Sequence, residues 1–536
     1  MKMRSTDSRA DQVSAWAPVF GGWRRVEYLL GAGVWVAAII YFWHWWLQPA
    51  NHTYLVGSIL VTAILAWVTL LPAYFIFLFF RARRPVGPLN LPAGSRIAMV
   101  VTKAPSEPFG VVAETLRAML AQNVPHDTWL ADEDPSPETL AWCREHGVFV
   151  STRRGRADYH LHTWPRRTRC KEGNLAFFYD HYGYERYDFV AQLDADHVPT
   201  EGYLFEMLRP FADPAIGYVS APSICDRNAH ESWSARGRLY AEASMHGSLQ
   251  AGYNNGLAPL CIGSHYAVRT VALREIGGLG PELAEDHSTT LMMNAGGWRG
   301  AHALDAIAHG DGPRTFADLV TQEFQWSRSL VMILLQYSPR LVRTLPFRMK
   351  FQFLFARWPW ALAGTLAALR DWTTGSFVDF RVTPKGASEV DPLPLRVLAP
   401  YGVMAILSIM PVLLIRDASE SSRGFYIFAI MNALAYVVLL LVIIVQHARE
   451  NTVRYRTRFY QPALAASLLA LMALPAVATV ERGRDGIVAL SWGTRSFSLF
   501  DDRFSVAGAG IGGRDIHKVI FNPHWRVGAT GNPDQK

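Results

Sequence analysis

The chain has 536 residues, of which half are hydrophobic and only 18% charged, with 18 Trp and 28 Phe. This composition points to an integral membrane protein that also carries a soluble domain. The net charge of +7 is spread over short loops, which excludes a gathered nucleic-acid patch and suits basic cytoplasmic flanks plus a site for an anionic substrate. Cys143, Cys170, Cys225 and Cys261 are widely spaced with no Cys-x-x-Cys pair, so reduced cysteines are expected rather than a disulfide framework or a zinc site.

Residues 1–28 form a polar cytoplasmic segment with no cleavable signal pattern. Two bilayer spans are predicted within residues 29–80, at Leu29–Leu47 and Tyr54–Phe80, each close to the twenty apolar residues a span needs. The link between them holds no Lys or Arg, whereas Arg24, Arg25, Arg81, Arg83 and Arg84 flank the pair. The outer flanks are therefore expected in the cytoplasm.

From 95 to 330 short apolar runs alternate with helical segments, the pattern of an α/β domain with a mostly parallel sheet. Strands are predicted at Ile97–Thr102, Asp127–Asp132, Gly147–Thr152 and Tyr187–Asp196, with a helix at Val111–Gln122. In such sheets ligands bind at the carboxyl ends of the strands. Residues 331–396 are read as interfacial helices and a loop, with Met349–Leu369 lying in the membrane interface because Arg357 interrupts it. Three spans follow within 397–480, at Val397–Ile415, Phe425–Gln446 and Tyr460–Val480. The Arg-rich loop His447–Arg458 is placed inside, and a Gly-rich tail of β type, 481–536, outside.

Four motifs carry chemistry. Asp194 and Asp196 end a predicted strand in LDADH; two such carboxylates can share a divalent cation, and they also fit a solvated turn. Glu285 and Asp286 in LAEDHST can remove a proton from a hydroxyl, or cap a helix. Gln322 and Trp326 in QEFQW suit a sugar's hydroxyls and its ring face, or an amphipathic helix end. FRVTPKG (Phe380–Gly386) offers Thr383 and Lys385 to phosphate, or is an ordinary juxtamembrane turn.

In this order, and flanked by membrane spans, the four motifs resemble the cellulose-synthase-like branch of the family 2 inverting glycosyltransferases, over most of the chain. The resemblance implies an α/β GT-A glycosyltransferase domain with a mostly parallel sheet, inserted between transmembrane helices. It implies a processive hexosyltransferase that moves sugar, with glucose the family's usual one, from a UDP-sugar to a growing β-linked polysaccharide across the bilayer. Asp286 is then the general base beside Glu285, with Ala284 where the family has Thr. Asp194 and Asp196 hold Mg2+ or Mn2+ and the UDP portion. Thr102, Asp132 and Lys171 line the nucleotide-sugar pocket with Gln322, Thr383 and Lys385, and Trp326 stacks on the acceptor. Asp134 competes with Asp132 for its role, and Glu107 with the acidic residue the family places closer to Thr102. The implied partners are the donor, the polymer, the lipid bilayer and an export or periplasmic subunit, with no nucleic acid. The implied location is a bacterial inner (plasma) membrane, with the catalytic domain cytoplasmic and the C-terminus periplasmic.

The chain also departs from the pattern. Gln325 stands where the family has Arg before Trp, which removes a bidentate donor against diphosphate; Arg328 is the nearby substitute. Only 53 residues separate Trp326 from Phe380, too few for the family's two intervening spans plus an interfacial helix. A cytoplasmic PilZ-type regulator is not expected. GAGIGG fits G-x-G-x-x-G at Gly508, Gly510 and Gly513 but lacks the strand-to-helix setting of a dinucleotide site. His160, His162 and the sequon at Asn51 are read as incidental, and His287 as lining the site or supporting it from behind. The rival readings are one-step transfer to a lipid carrier and an inactive scaffold or export subunit.

Overall fold

The computed structural model describes residues 15–49, 52, 55–168, 171–355, 361–376, 393–415, 423–451, 460–495, 497–507 and 514–525. The chain divides into two compact units, Met1–Ser388 and Glu389–Lys536. The first begins with two long helices, α1 (Gly22–Trp46) and α2 (Leu55–Phe80). Side chains tie them together: Trp43 and Trp46 donate to the hydroxyls of Thr69 (3.1 Å) and Thr62 (2.9 Å), and Tyr28 to the Ile76 carbonyl (2.9 Å). Their remaining surface is apolar and open, as lipid-facing helices require.

The domain that follows is built on strands β1 (Ile97–Lys103), β2 (Asp127–Asp132), β3 (Phe149–Ser151), β4 (Phe189–Asp194), β5 (Ile216–Ser220), β6 (His265–Arg269) and β7 (Arg299–His302). Its seven-stranded sheet has the order β7-β5-β6-β4-β1-β2-β3. All neighbours are parallel except β6, which runs antiparallel to both β4 and β5. β1 is buried along its whole length, as the apolar run IAMVV requires of a strand covered on both faces. Its side chains alternate between two cores. Ile97, Met99 and Val101 meet Val112, Leu116 and Met119 of helix α3 (Phe109–Leu120), while Ala98 and Val100 meet Leu175 and Phe178 of helix α4 (Lys171–Phe178). Each large side chain so buried contributes about 1.5–3 kcal/mol.

Four more helices shape the site: α5 (Trp233–Ser244), α6 (Glu285–Ala295), α7 (Phe316–Met332) and, after a short α8 (Phe347–Phe355), α9 (Leu362–Thr374). A Thr315/Asp318 capping box starts α7. The predicted interfacial helix over Met349–Leu369 is thus two helices, α8 and α9, with 356–360 outside the described residues. Neither half is long enough to cross a bilayer.

The second unit packs helices α10 (Leu395–Leu414), α11 (Phe425–Glu450) and α12 (Tyr460–Arg495) around Ile409, Val412, Ile430, Ala433 and Ala478. α12 runs on to Arg495 instead of stopping near Val480. The antiparallel strands Phe497–Ala507 and Arg514–Trp525 follow. Five helices are long and apolar enough to span a membrane, two before the sheet domain and three after it. The Gly508–Gly513 run lies outside the described residues.

Candidate active site

The parallel strands β1, β2 and β4 deliver their carboxyl ends to one edge of the sheet. Strand register sets Lys103 opposite Asp132 and Thr102 opposite Asp194. Asp132 is 0% exposed and is not an open carboxylate. Lys103 Nζ lies 3.2 Å from its Oδ2, and the backbone N–H of Asp134 donates to its Oδ1 at 3.0 Å. A carboxylate this deep needs a counter-charge, which the Lys103 ammonium supplies. Thr102 is buried and bonds the Leu193 carbonyl at 3.4 Å. Glu107 folds back onto the Ala104 N–H at 2.8 Å, and exposed Asp134 pairs with Arg154 at 3.0 Å.

At the end of β4 the two aspartates part company. Asp194 is partly open and accepts from Lys171 Nζ at 2.7 Å. Asp196 is buried against His197, whose Nδ1 lies 3.3 Å from its Oδ1 and whose Nε2 is 3.1 Å from the Ser223 hydroxyl. Burial works against a charge on His197, but the hydrogen bond and charge of Asp196 raise its pKa to about 10. Two short pairings brace this turn, Val198–Pro199 with Ala308–His309 and the latter with Ser223–Ile224.

The reversed strand β6 brings the other half of the site. Its entry lies beside the end of β4, with the Asp194 N–H donating to the Ser264 carbonyl at 2.8 Å. The Gly263 carbonyl accepts from Lys171 Nζ at 2.6 Å. A methyl on Gly263 would stand 3.2 Å from Asp286 Oδ2, so this glycine sits between the lysine and the candidate base. Burial opposes the Lys171 charge, but Asp194, Glu285 and Asp286 act on it together and its pKa is raised. Glu285 is buried, with Oε1 lacking a hydrogen-bond partner. Burial first, then the neighbouring Asp286, push its pKa well above the carboxylate range against the pull of Lys171. Asp286 is only half-buried, which makes it the accessible member of the pair.

Helix α7 supports this loop and carries the third motif. Ser329 Oγ accepts from the Ala284 N–H at 2.8 Å, just before Glu285. Gln322 and Trp326, one turn apart on α7, share a partner on α5. Arg238 donates to Gln322 Oε1 at 2.6 Å, and its guanidinium lies 4.2 Å from the centre of the Trp326 ring. Gln325 is buried. Arg328 does not replace the absent motif arginine, because its Nε donates to Asp371 of α9 at 2.5 Å. There α7 and α9 approach closely, since a side chain at Gly364 would meet the Phe324 carbonyl at 2.6 Å.

The structure thus pairs Lys171 with Asp194, brings Glu285 and Asp286 near enough to act on that charge, sets Thr102 and Asp132 at the same sheet edge, and gathers Gln322 and Trp326 under Arg238. Thr383 and Lys385 lie outside the described residues. Among the described residues no group of three or more His, Cys, Asp or Glu is placed to hold a metal alone. The Asp194–Asp196 pair nevertheless fits Mg2+ or Mn2+, which bind by one or two carboxylates and take the rest of their shell from phosphate and water. The Lys171 ammonium is itself a cation seated on Asp194. Lys103, His197, Gly263, Ser329 and Arg238 escaped the sequence reading.

Residues 189–445 match the family model described as glycosyl transferase family group 2. The UDP-forming cellulose synthase catalytic subunit of Xanthomonas axonopodis pv. citri (strain 306) is 28% identical over 337 residues, covering 58% of this chain and 43% of that protein. That of Komagataeibacter sucrofermentans is 24% identical over 314 residues, covering 55% and 39%. The chain therefore spans less than half the length of these relatives. Among solved structures, the mannosyltransferase PcManGT from Pyrobaculum calidifontis in complex with GDP-Man and Mn2+ aligns with a TM-score of 0.43 at 16% identity, over 72% of this chain and 98% of that one. The chain thus resembles the family 2 glycosyltransferases over residues 189–445 and the cellulose synthase catalytic subunits over little more than half of its own length.

Proposed function

We propose that this chain is an inverting, processive hexosyltransferase that transfers sugar from a UDP-sugar to a growing β-linked polysaccharide and passes the polymer across the membrane. The observation that carries the reading is the Lys171 ammonium held by Asp194 at 2.7 Å and by the Gly263 carbonyl at 2.6 Å, with Gly263 itself packed close to Asp286 Oδ2. Asp286 takes the proton of the acceptor hydroxyl. That oxygen bonds to the anomeric carbon as the bond to the diphosphate breaks on the opposite face, and UDP leaves. Lys171 exchanges Asp194 for the diphosphate and balances its charge. A divalent cation held by Asp194 and Asp196 supplies Lewis-acid stabilisation of the leaving diphosphate. Glu285, kept neutral by burial, leaves the negative charge of the pair on Asp286.

The relatives' names support UDP as the leaving group, and glucose is the donor we assign first. The five apolar helices support a multi-pass protein of a bacterial inner membrane with this site on the cytoplasmic face and the C-terminus periplasmic, alone or with an export subunit. A UDP-release screen of the purified chain over common nucleotide sugars, followed by linkage analysis, tests the reading. The expected result is UDP release with a β-linked high polymer. A glycolipid extractable into organic solvent would make the enzyme non-processive, and no release with any donor would leave an inactive export or scaffold subunit.

A further inference from the structure

The helix that should carry a motif arginine does not have one. Gln325 is buried in that place and Arg328 is spent on Asp371. Another helix brings a guanidinium to the same motif. Arg238 of α5 lies over Trp326, bonds Gln322, and pairs through Nη2 with Glu242 Oε1 at 2.7 Å. The side chains of Arg238 and Glu242 are only 11% and 14% exposed. Even so, Arg238 Nε and Glu242 Oε2 are buried with no hydrogen-bond partner. His246 Nδ1 lies 3.9 Å from that oxygen.

A buried donor and a buried acceptor left unmatched cost free energy unless something fills them. Here they belong to one ion pair, against an aromatic ring and an amide. A planar donor, a carboxylate acceptor and a ring face are what neighbouring hydroxyls and the apolar face of a pyranose require. Apolar cores do not retain such a set, and a phosphate would be repelled by Glu242.

We infer that Arg238 and Glu242 are saccharide-binding residues that, with Gln322 and Trp326, form the subsite for the acceptor end of the polymer. This assignment rests on the glycosyltransferase reading and goes beyond it by naming residues outside the motif. The fixed guanidinium makes the subsite selective for a particular pair of hydroxyls, and so for the linkage of the chain it holds.

The test is equilibrium binding of cellopentaose and of laminaripentaose to the full chain in detergent, by titration calorimetry. The wild type is expected to bind at least one of them. R238A and the near-isosteric E242Q are expected to raise that Kd about tenfold. Binding of neither sugar by the wild type, or a Kd within twofold of it in E242Q, overturns the inference, and E242Q decides the matter if R238A does not fold. Failure of the catalytic reading shows separately, as absent UDP release with saccharide binding and its E242Q loss intact.

Discussion

A methyl group on Gly263 would stand only 3.2 Å from Asp286 Oδ2. Alanine there must push the carboxylate or the loop by a few tenths of an ångström. G263A is expected to lower kcat about tenfold, short of the ~100-fold that a 1 Å misplacement can cost. D286N removes the proposed base and is expected to lower kcat by about 10²–10⁴ with donor binding retained. UDP-release kinetics and UDP-sugar titrations of both variants check this; a D286N enzyme as fast as wild type would remove Asp286 from the chemistry.

The divalent cation gives a second expectation. EDTA is expected to abolish UDP release, and Mg2+ or Mn2+ to restore it, because hard carboxylate and phosphate oxygens select such ions. D194N and D196N are each expected to need more metal for half-maximal rate. Full activity in EDTA would show that Lys171 alone balances the diphosphate.

The Arg328–Asp371 pair links α7 to α9 with Asp371 only 1% exposed. D371A strands a buried guanidinium, at a cost of about 3–5 kcal/mol, whereas replacing both partners with apolar residues recovers much of it. Thermal unfolding should therefore show a large drop in Tm for D371A and a smaller one for R328M/D371L. Equal drops would mean that the helices are held by the close approach at Gly364 instead.

Glu172 gives a pH dependence. It is buried and Arg167 is 3.6 Å away; burial outweighs that guanidinium and raises its pKa to about 8. The folded chain therefore keeps a proton there that the unfolded chain releases near its ordinary value of 4.5. This contribution to stability is whole below the unfolded pKa and is lost as pH rises toward the folded one. Tm is expected to fall across that window in the wild type and to fall less in E172Q. Identical slopes would mean that the carboxylate stays ionised against Arg167.

The sheet was legible because a strand buried on both faces must be apolar throughout, as in IAMVV, and the aspartates were legible because carboxylates rarely follow such a run without reason. What the sequence hid depends on register and on crossings between distant helices. Lys103 meets Asp132 only because β1 and β2 pair in one register, and no local pattern reveals Arg238 over Trp326. The burial of Asp132 is decided by that lysine. The length of α12 was misjudged for a different reason: Glu481, Arg482, Arg484 and Asp485 end a lipid-compatible stretch, yet charged residues of this kind propagate a helix well.

The reversal of β6 has an engineering consequence. Were that strand turned to match its neighbours, Gly263 would emerge at the far rim, roughly 17 Å away at about 3.3 Å per residue. The lysine and the base would then share no boundary. Transplanting the aspartate turn into another parallel scaffold would therefore carry over half a catalyst, because its complement arrives on a segment travelling the other way.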